Sequence, residues 1–198
     1  DYNDFQYDMV NGGRRQIGST IKPFLYSLAM IEGFSPCDEM LHVQQQLTDE
    51  NGILWTPRNA SAKRVGEKVS IQWGLQNSDN WVTAWLMGQM SPYTFVRLLH
   101  SFGLKNHIDP VISVCLGTPD VSVAEMVSAY TTFANRGIRV EPLYVTHIED
   151  PYGNTIANFN PQMSEVLTEE ASYKMLYMLR SVMDGGTGLS LIHISEPT

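Results

Sequence analysis

The stretch Ile21-Lys-Pro-Phe-Leu-Tyr-Ser-Leu-Ala-Met-Ile-Glu-Gly33 constrains this chain more than any other. Ile21, Phe24, Leu25, Leu28 and Ile31 recur at helical spacing. Pro23 lies inside the run, and proline is tolerated only in a helix's first turn, where its missing N–H has no intrahelical partner to lose. The pattern therefore predicts a helix that starts near Ser19–Lys22 and ends at Gly33, with Gly18 allowing close backbone approach just before it. Ser19 and Lys22 fall in the opening turn.

The rest of the chain reads as helices in the middle and sheet elements towards the ends. Phe5 to Val10 has the pattern of a short strand, and Asn11-Gly-Gly13 is a turn signal. Residues 34–70 read as irregular. Asn77-Ser-Asp-Asn80 is a run of capping residues ahead of a helix through Trp81, Ala84, Trp85 and Leu86. Ser91-Pro92 opens another, with Phe95, Val96, Leu98, Leu99 and Phe102 apolar and Gly103 at its end. Ser122-Val-Ala-Glu125 is a capping box before a helix through Met126, Tyr130 and Phe133. Residues 138–148, the turn Asp150-Pro-Tyr-Gly153 and Thr155–Phe159 predict a hairpin. Thr168-Glu-Glu170 caps a last helix that ends at Asp184-Gly-Gly186.

Composition removes several functions. With 13 Lys+Arg against 21 Asp+Glu and a net charge of −8, the surface is wrong for nucleic acid, which requires clustered cations. Hydrophobic content of 43% suits a packed core. No segment reaches the roughly 20 apolar residues of a membrane span, and no signal peptide opens the chain, which begins at Asp1 rather than Met. The two cysteines, Cys37 and Cys115, read as buried thiols rather than a bridge. The five histidines lack metal-ligand spacing, so no zinc site is expected. Trp81, Trp85, Phe95, Tyr130, Met175, Met178 and Met183 read as core packing, as do Trp55 and Tyr144 ahead of a place in a cleft. Asp49-Glu50 and Glu169-Glu170 read as surface or caps.

Two short patterns carry chemistry. Ser19-Thr-Ile-Lys22 is a Ser-x-x-Lys whose ends share a helical face, so the Lys amine can reach the Ser hydroxyl. A lysine serves as base only when neutral, a state that burial favours. The bland reading is an N-cap serine and a solvated lysine. Ser78-Asp-Asn80 is a Ser-x-Asn, in which a hydroxyl can relay a proton and an amide can hold a substrate amide. Helix capping alone would also explain these three residues.

Taken in order, the two patterns belong to the signature of penicillin-binding proteins and related β-lactamases, whose third part is Lys-Thr-Gly. Arg14-Arg-Gln-Ile-Gly-Ser-Thr-Ile-Lys-Pro-Phe24 resembles the nucleophile segment of class A penicillin-binding proteins. Trp55-Thr-Pro-Arg-Asn59, Gly74-Leu-Gln-Asn-Ser-Asp-Asn80, Asp120–Tyr130, Phe133–Gly137 and Asp184-Gly-Gly-Thr-Gly188 resemble later segments of the same domain. Ile17 stands where the family usually has Pro. No Lys-Thr-Gly occurs; Gly186-Thr-Gly188 lacks the lysine. The stretch Leu189–Thr198 resembles a translated sequencing-library adapter, so residues 1–188 are expected to be a partial transpeptidase domain and 189–198 a non-native tail.

The resemblance implies an α+β fold of the serine D,D-peptidase type, a central antiparallel sheet beside a helical subdomain, with C-terminal strands missing. It implies a D,D-transpeptidase acting on peptidoglycan stem peptides through a serine acyl-enzyme and acylated by β-lactams. Ser19 would be the nucleophile, Lys22 the base, Ser78 a proton relay and Asn80 a substrate clamp. No metal or organic cofactor is implied. The parent is expected to be anchored in the cytoplasmic membrane with this domain in the periplasm. A D,D-carboxypeptidase or β-lactamase-type hydrolase, and a non-catalytic fragment, remain alternatives. Without Lys-Thr-Gly, the chain alone is expected neither to react with penicillin nor to fold stably.

Overall fold

The computed structural model describes residues 7–49 and 52–192. In chain order it has β1 (Arg14–Gln16), a 3-10 turn (Gly18–Ile21), α1 (Lys22–Ile31), β2 (Glu39–Leu41), β3 (Leu47–Thr48), β4 (Leu54–Trp55) and β5 (Lys68–Ser70). Then come α2 (Ile71–Gln76), α3 (Asn80–Gly88), α4 (Pro92–Ser101), a second 3-10 turn (Ile112–Leu116), β6 (Asp120–Ser122) and α5 (Val123–Ala134). The chain closes with β7 (Ile138–Val140), β8 (His147–Glu149), β9 (Thr155–Asn158), β10 (Met163–Glu165), α6 (Glu169–Gly185) and α7 (Leu189–Ile192). The class is α+β. Among the described residues, antiparallel pairing is spread over five two-stranded ladders: β1–β6, β2–β5, β3–β4, β7–β10 and β8–β9.

α1 is the axis of the molecule. Every residue from Ile21 to Met30 is buried, the charged Lys22 included. Pro23 sits in the first turn, as its geometry demands. α6, α3 and α4 pack around it. Phe24 anchors an aromatic cluster, its ring 4.7 Å from Phe102, 5.3 Å from Tyr130 and 5.8 Å from Phe133. Emptying such a buried aromatic site typically costs about 3–5 kcal/mol.

Local chemistry sets the other helix starts. Ser122 accepts from the Glu125 N–H while Glu125 accepts from the Ser122 N–H, completing the capping box. Glu125 also pairs with Arg14 at 2.9 Å and accepts from the Lys105 N–H, which ties β1 to the start of α5. Thr168 caps α6 through the Ala171 N–H. The β8–β9 hairpin turns at Asp150, whose carboxylate accepts from the Tyr152 and Asn154 N–H groups.

Several expectations change. Cys115 is buried but Cys37 is exposed, and both are free thiols; Cys37 lies in the turn between α1 and β2, off the core. Residues 34–70 hold four strands of two or three residues each, too short to show an alternating pattern. The strand expected over Phe5–Val10 falls partly outside the described residues, and Tyr7–Val10 is bend and turn. Phe95, Met175 and Met178 are in the core, and the partly buried Trp55, Trp85 and Tyr130 pack against it as expected, whereas Trp81 and Met183 are only partly buried and Tyr144 is 79% exposed. Glu169 and Glu170 occupy the first turn of α6, and Glu170 pairs with Lys174. Glu50 lies outside the described residues. Leu189–Ile192 is a single helical turn.

Candidate active site

Ser19 lies exposed in the 3-10 turn that feeds α1. The turn is held from three sides. Ile17 N–H donates to Pro119 O at 3.2 Å and Gly18 N–H donates to Gly117 O at 3.0 Å. The Tyr130 hydroxyl donates to Thr20 O at 2.7 Å. Gly18 and Gly117 both have positive φ, +53° and +86°, and a Cβ on Gly117 would run into the Gly18 backbone. A glycine is needed there both for conformation and for space. The nucleophile candidate is thus exposed while its backbone is fixed. Among the described residues its hydroxyl has no hydrogen-bond partner.

Lys22 sits one turn on, 1% exposed. Its Nζ donates to Ser78 O at 2.6 Å, Ser78 Oγ at 3.1 Å and Asn80 Oδ1 at 2.7 Å. An ammonium has three N–H groups, and all three are used. Burial pulls its pKa down from the usual lysine range to about 8, with the Asp79 carboxylate pulling the other way. Cys115 lies close enough to matter electrostatically, but burial pushes its thiol up to about 12, so it is neutral at neutral pH. The opposing negative charge is therefore that of Asp79.

Ser78 and Asn80 are delivered by the link between α2 and α3. Asp79 alone is the helix cap, its Oδ1 accepting from the Trp81 and Val82 N–H groups at 2.9 Å each. Ser78 caps nothing. It holds φ +51°, a left-handed conformation that costs a serine on the order of 1 kcal/mol or more. That twist aims its carbonyl and hydroxyl at Lys22. Asn80 is the first residue of α3; its Nδ2 donates to Arg58 O at 2.7 Å, which leaves Oδ1 facing Lys22. Capping thus accounts for one of the three residues and not for the two that touch the lysine.

Of the residues expected in one site, Lys22 touches both Ser78 and Asn80, across 56 and 58 positions of sequence. Ser19 adjoins them through the turn, its O accepting from the Lys22 backbone N–H, but its hydroxyl is not bonded to the amine. The sequence did not reveal the layer behind them. His42 is fully buried, with Nε2 2.9 Å from Asp79 Oδ2, and Asn59 bridges Asp79 to the Asn80 N–H. Trp81 Nε1 donates to Pro57 O at 3.2 Å. The Trp55–Asn59 segment resembled part of the family domain, but only the fold shows its carbonyls and amide gripping Asn80 and Trp81. Nothing near His42 in sequence marks it. Among the described residues no three His, Cys, Asp or Glu side chains gather as metal ligands.

Comparison with known proteins places the chain in a family. Penicillin-binding protein 2D of Bacillus subtilis (strain 168) is 29% identical over 185 residues, covering 93% of this chain and 27% of that protein. The chain thus spans about a quarter of the length of the curated relatives it matches. In fold it resembles penicillin-binding protein 1A from Haemophilus influenzae, with a TM-score of 0.87 at 19% identity over 99% of this chain and 35% of that one. It also resembles penicillin-binding protein A from M. tuberculosis, solved as an imipenem acyl-enzyme complex, with a TM-score of 0.72 at 14% identity over 86% and 44% of the two chains. The penicillin binding protein transpeptidase domain profile matches residues 1–194, and the chain belongs to that family.

Proposed function

We propose that this domain carries out D,D-transpeptidation by a serine acyl-enzyme route on D-Ala-D-Ala stem peptides of peptidoglycan, with Ser19 as nucleophile. The observation that carries the reading is the buried Lys22 amine, held by Ser78 and Asn80 one turn from an exposed serine. With a pKa of about 8, roughly a tenth of the amine is neutral at pH 7. The neutral amine has two N–H groups, which suit its two shorter bonds, to Ser78 O and Asn80 Oδ1. Its lone pair is then free to accept a proton from a hydroxyl.

Ser19 Oγ attacks the penultimate D-Ala carbonyl as its proton passes to Lys22 Nζ. The oxyanion is stabilised by the Ser19 N–H, at the open end of a helical turn. Ser78 Oγ hands a proton from Lys22 to the departing terminal D-Ala amine, which leaves as the C–N bond breaks. An amine of a neighbouring stem then attacks the acyl carbonyl, losing a proton to Lys22, and as the ester bond to Ser19 Oγ breaks that proton passes to Ser19 and restores its hydroxyl. Asn80 orients the stem-peptide amide. A β-lactam carbonyl would acylate Ser19 by the same route. Acyl transfer on peptidoglycan supports a domain working on the periplasmic side of the cytoplasmic membrane, and we infer that the parent protein is anchored there; among the described residues no helix is long and apolar enough to cross a membrane. The 198 residues contain no Lys-Thr-Gly, so the second oxyanion donor that the resemblance assigns to that motif is not supplied by them.

The test is to treat the full-length protein with a fluorescent penicillin and map the adduct by peptide mass. A single adduct on Ser19, lost in Ser19→Ala, is expected. An adduct on another serine refutes the assignment.

A further inference from the structure

His42 lies 37 positions from Asp79 in sequence and touches neither Ser19 nor Lys22, yet it is the most enclosed polar side chain of the second layer. Its ring is confined between two indoles, 5.1 Å from Trp73 and 5.0 Å from Trp81. Its backbone is fixed on both sides, His42 N–H donating to Glu67 O and Gly66 N–H donating to His42 O. Nε2 meets Asp79 Oδ2, while the buried Nδ1 has no partner. The Nε2–H tautomer therefore fits the site, since a hydrogen on Nδ1 would point at no acceptor.

From there the orientations follow one by one. The Asp79 carboxylate only accepts. Its Oδ1 is taken by the start of α3 and its Oδ2 by His42 and Asn59. Asn59 must turn its NH2 towards Asp79, so its Oδ1 faces and accepts the Asn80 N–H at 3.1 Å. Asn80 in turn presents Oδ1 to Lys22. Three side chains, His42, Asp79 and Asn59, thus run from a buried ring to the Asn80 backbone N–H, and the Asn80 side chain, turned by Arg58 O, carries the path on to the amine. An apolar residue between the two indoles would fill the space without leaving a buried nitrogen unpaired, a defect that destabilises a fold. Packing alone does not account for a histidine here; a fixed donor aimed at Asp79 does.

We propose that His42 is a positioning residue of the acyl-transfer site: its Nε2–H locks the Asp79 carboxylate and, through Asn59, the Asn80 backbone, from which the Asn80 side chain reaches Lys22. The inference rests on the Ser19–Lys22 reading for its catalytic consequence, not for its geometry.

The experiment compares full-length wild type, His42→Leu and His42→Gln. Leucine fills the space without a donor, and glutamine offers a terminal N–H2 near the position of Nε2. Fluorescent-penicillin kinetics resolve non-covalent binding and the acylation step that follows it, and thermal melts report folding. His42→Leu is expected to slow acylation about tenfold to hundredfold with binding unchanged, the scale of a small misplacement of a catalytic group, and His42→Gln to restore it to within about threefold. Wild-type acylation by folded His42→Leu, or equal loss in both variants, overturns the proposal. If His42→Leu does not melt cooperatively, Asn59→Ala breaks the same chain nearer the surface, and a wild-type rate there overturns it equally. If wild type gives no Ser19 adduct, the Ser19 reading has failed, and the Asn80 side-chain amide resonance decides this one. A shift in His42→Leu that glutamine reverses supports the proposal, and no shift refutes it.

Discussion

If Lys22 is the base, acylation must track its neutral fraction. Burial sets its pKa at about 8, so the neutral share is about a hundredth at pH 6, a tenth at pH 7 and half at pH 8. The acylation rate constant is therefore expected to climb nearly tenfold per pH unit from 6 to 7, bend near 8 and flatten by 9. Asp79 holds the pKa up, so Asp79→Asn, which keeps a capping side chain, is expected to move the bend to lower pH. Lys22→Arg keeps the charge but has no accessible neutral form, and is expected to abolish the reaction across this range while leaving the fold. Rapid-mixing measurement of fluorescent-penicillin acylation on the full-length protein from pH 5.5 to 9.5 gives all three curves. A flat wild-type profile between pH 6 and 8, or Lys22→Arg within tenfold of wild type, refutes general-base catalysis by Lys22 and leaves it an electrostatic partner only.

Burying that amine also has a stability signature. The folded pKa of about 8 lies below the unfolded value of about 10.5, so the folded state sheds the proton first and raising the pH between those values favours folding; relative to Lys22→Met, wild type should gain about 1.4 kcal/mol between pH 7 and 9, read from paired denaturant melts, and no pH-dependent difference would refute the burial argument. Ser78→Gly relieves the left-handed backbone and is expected to be at least as stable as wild type, by up to about 1 kcal/mol, while acylation falls about a hundredfold; unchanged acylation would remove Ser78 from the relay. Gly117→Ala forces a Cβ into the Gly18 backbone and should cost about 1–3 kcal/mol together with most of the acylation rate, and a neutral effect on melt and labelling would show that the Ser19 turn is not held there.

Local rules were legible in the sequence where they act over a few residues. Pro23 placed the start of α1, and the Ser122–Glu125 box and Thr168 placed two more helices, because caps are contacts within one turn. The turn of the hairpin at Asp150 was legible for the same reason, but its first arm is only His147–Glu149, and Ile138–Val140, expected in that arm, pairs instead with Met163–Glu165. Pairings set by distant partners were not. β2 lies against β5 with Glu39 opposite Ser70, and strands of two or three residues carry no period to detect. α2 is six residues long, under two turns, so its apolar spacing is no signal. At the site, Ser19, Lys22, Ser78 and Asn80 were legible because their patterns are short. His42 was not, because its meaning comes from Asp79, which reaches it only after α2 and α3 have packed. The left-handed Ser78 was equally hidden, since its conformation is imposed by the Gly74–Asn80 link, where Ser78 N–H donates to Leu75 O and Asp79 N–H to Gly74 O.

The site gathers several features that destabilise a fold: a buried ammonium, a serine in left-handed conformation and an unpaired histidine nitrogen. They persist because the core over-determines them. α1 carries the lysine, and the same helix presents Phe24 to Phe102, Tyr130 and Phe133. Tyr130 belongs to both systems, since its ring packs on Phe24 and Phe133 while its hydroxyl holds the Thr20 carbonyl of the nucleophile turn. Loosening the aromatic cluster would therefore also loosen the Ser19 turn. An exposed serine is reactive only if its backbone does not wander, and here the constraint comes from beneath, through packed rings and one hydrogen bond, so the upper face stays open to a substrate.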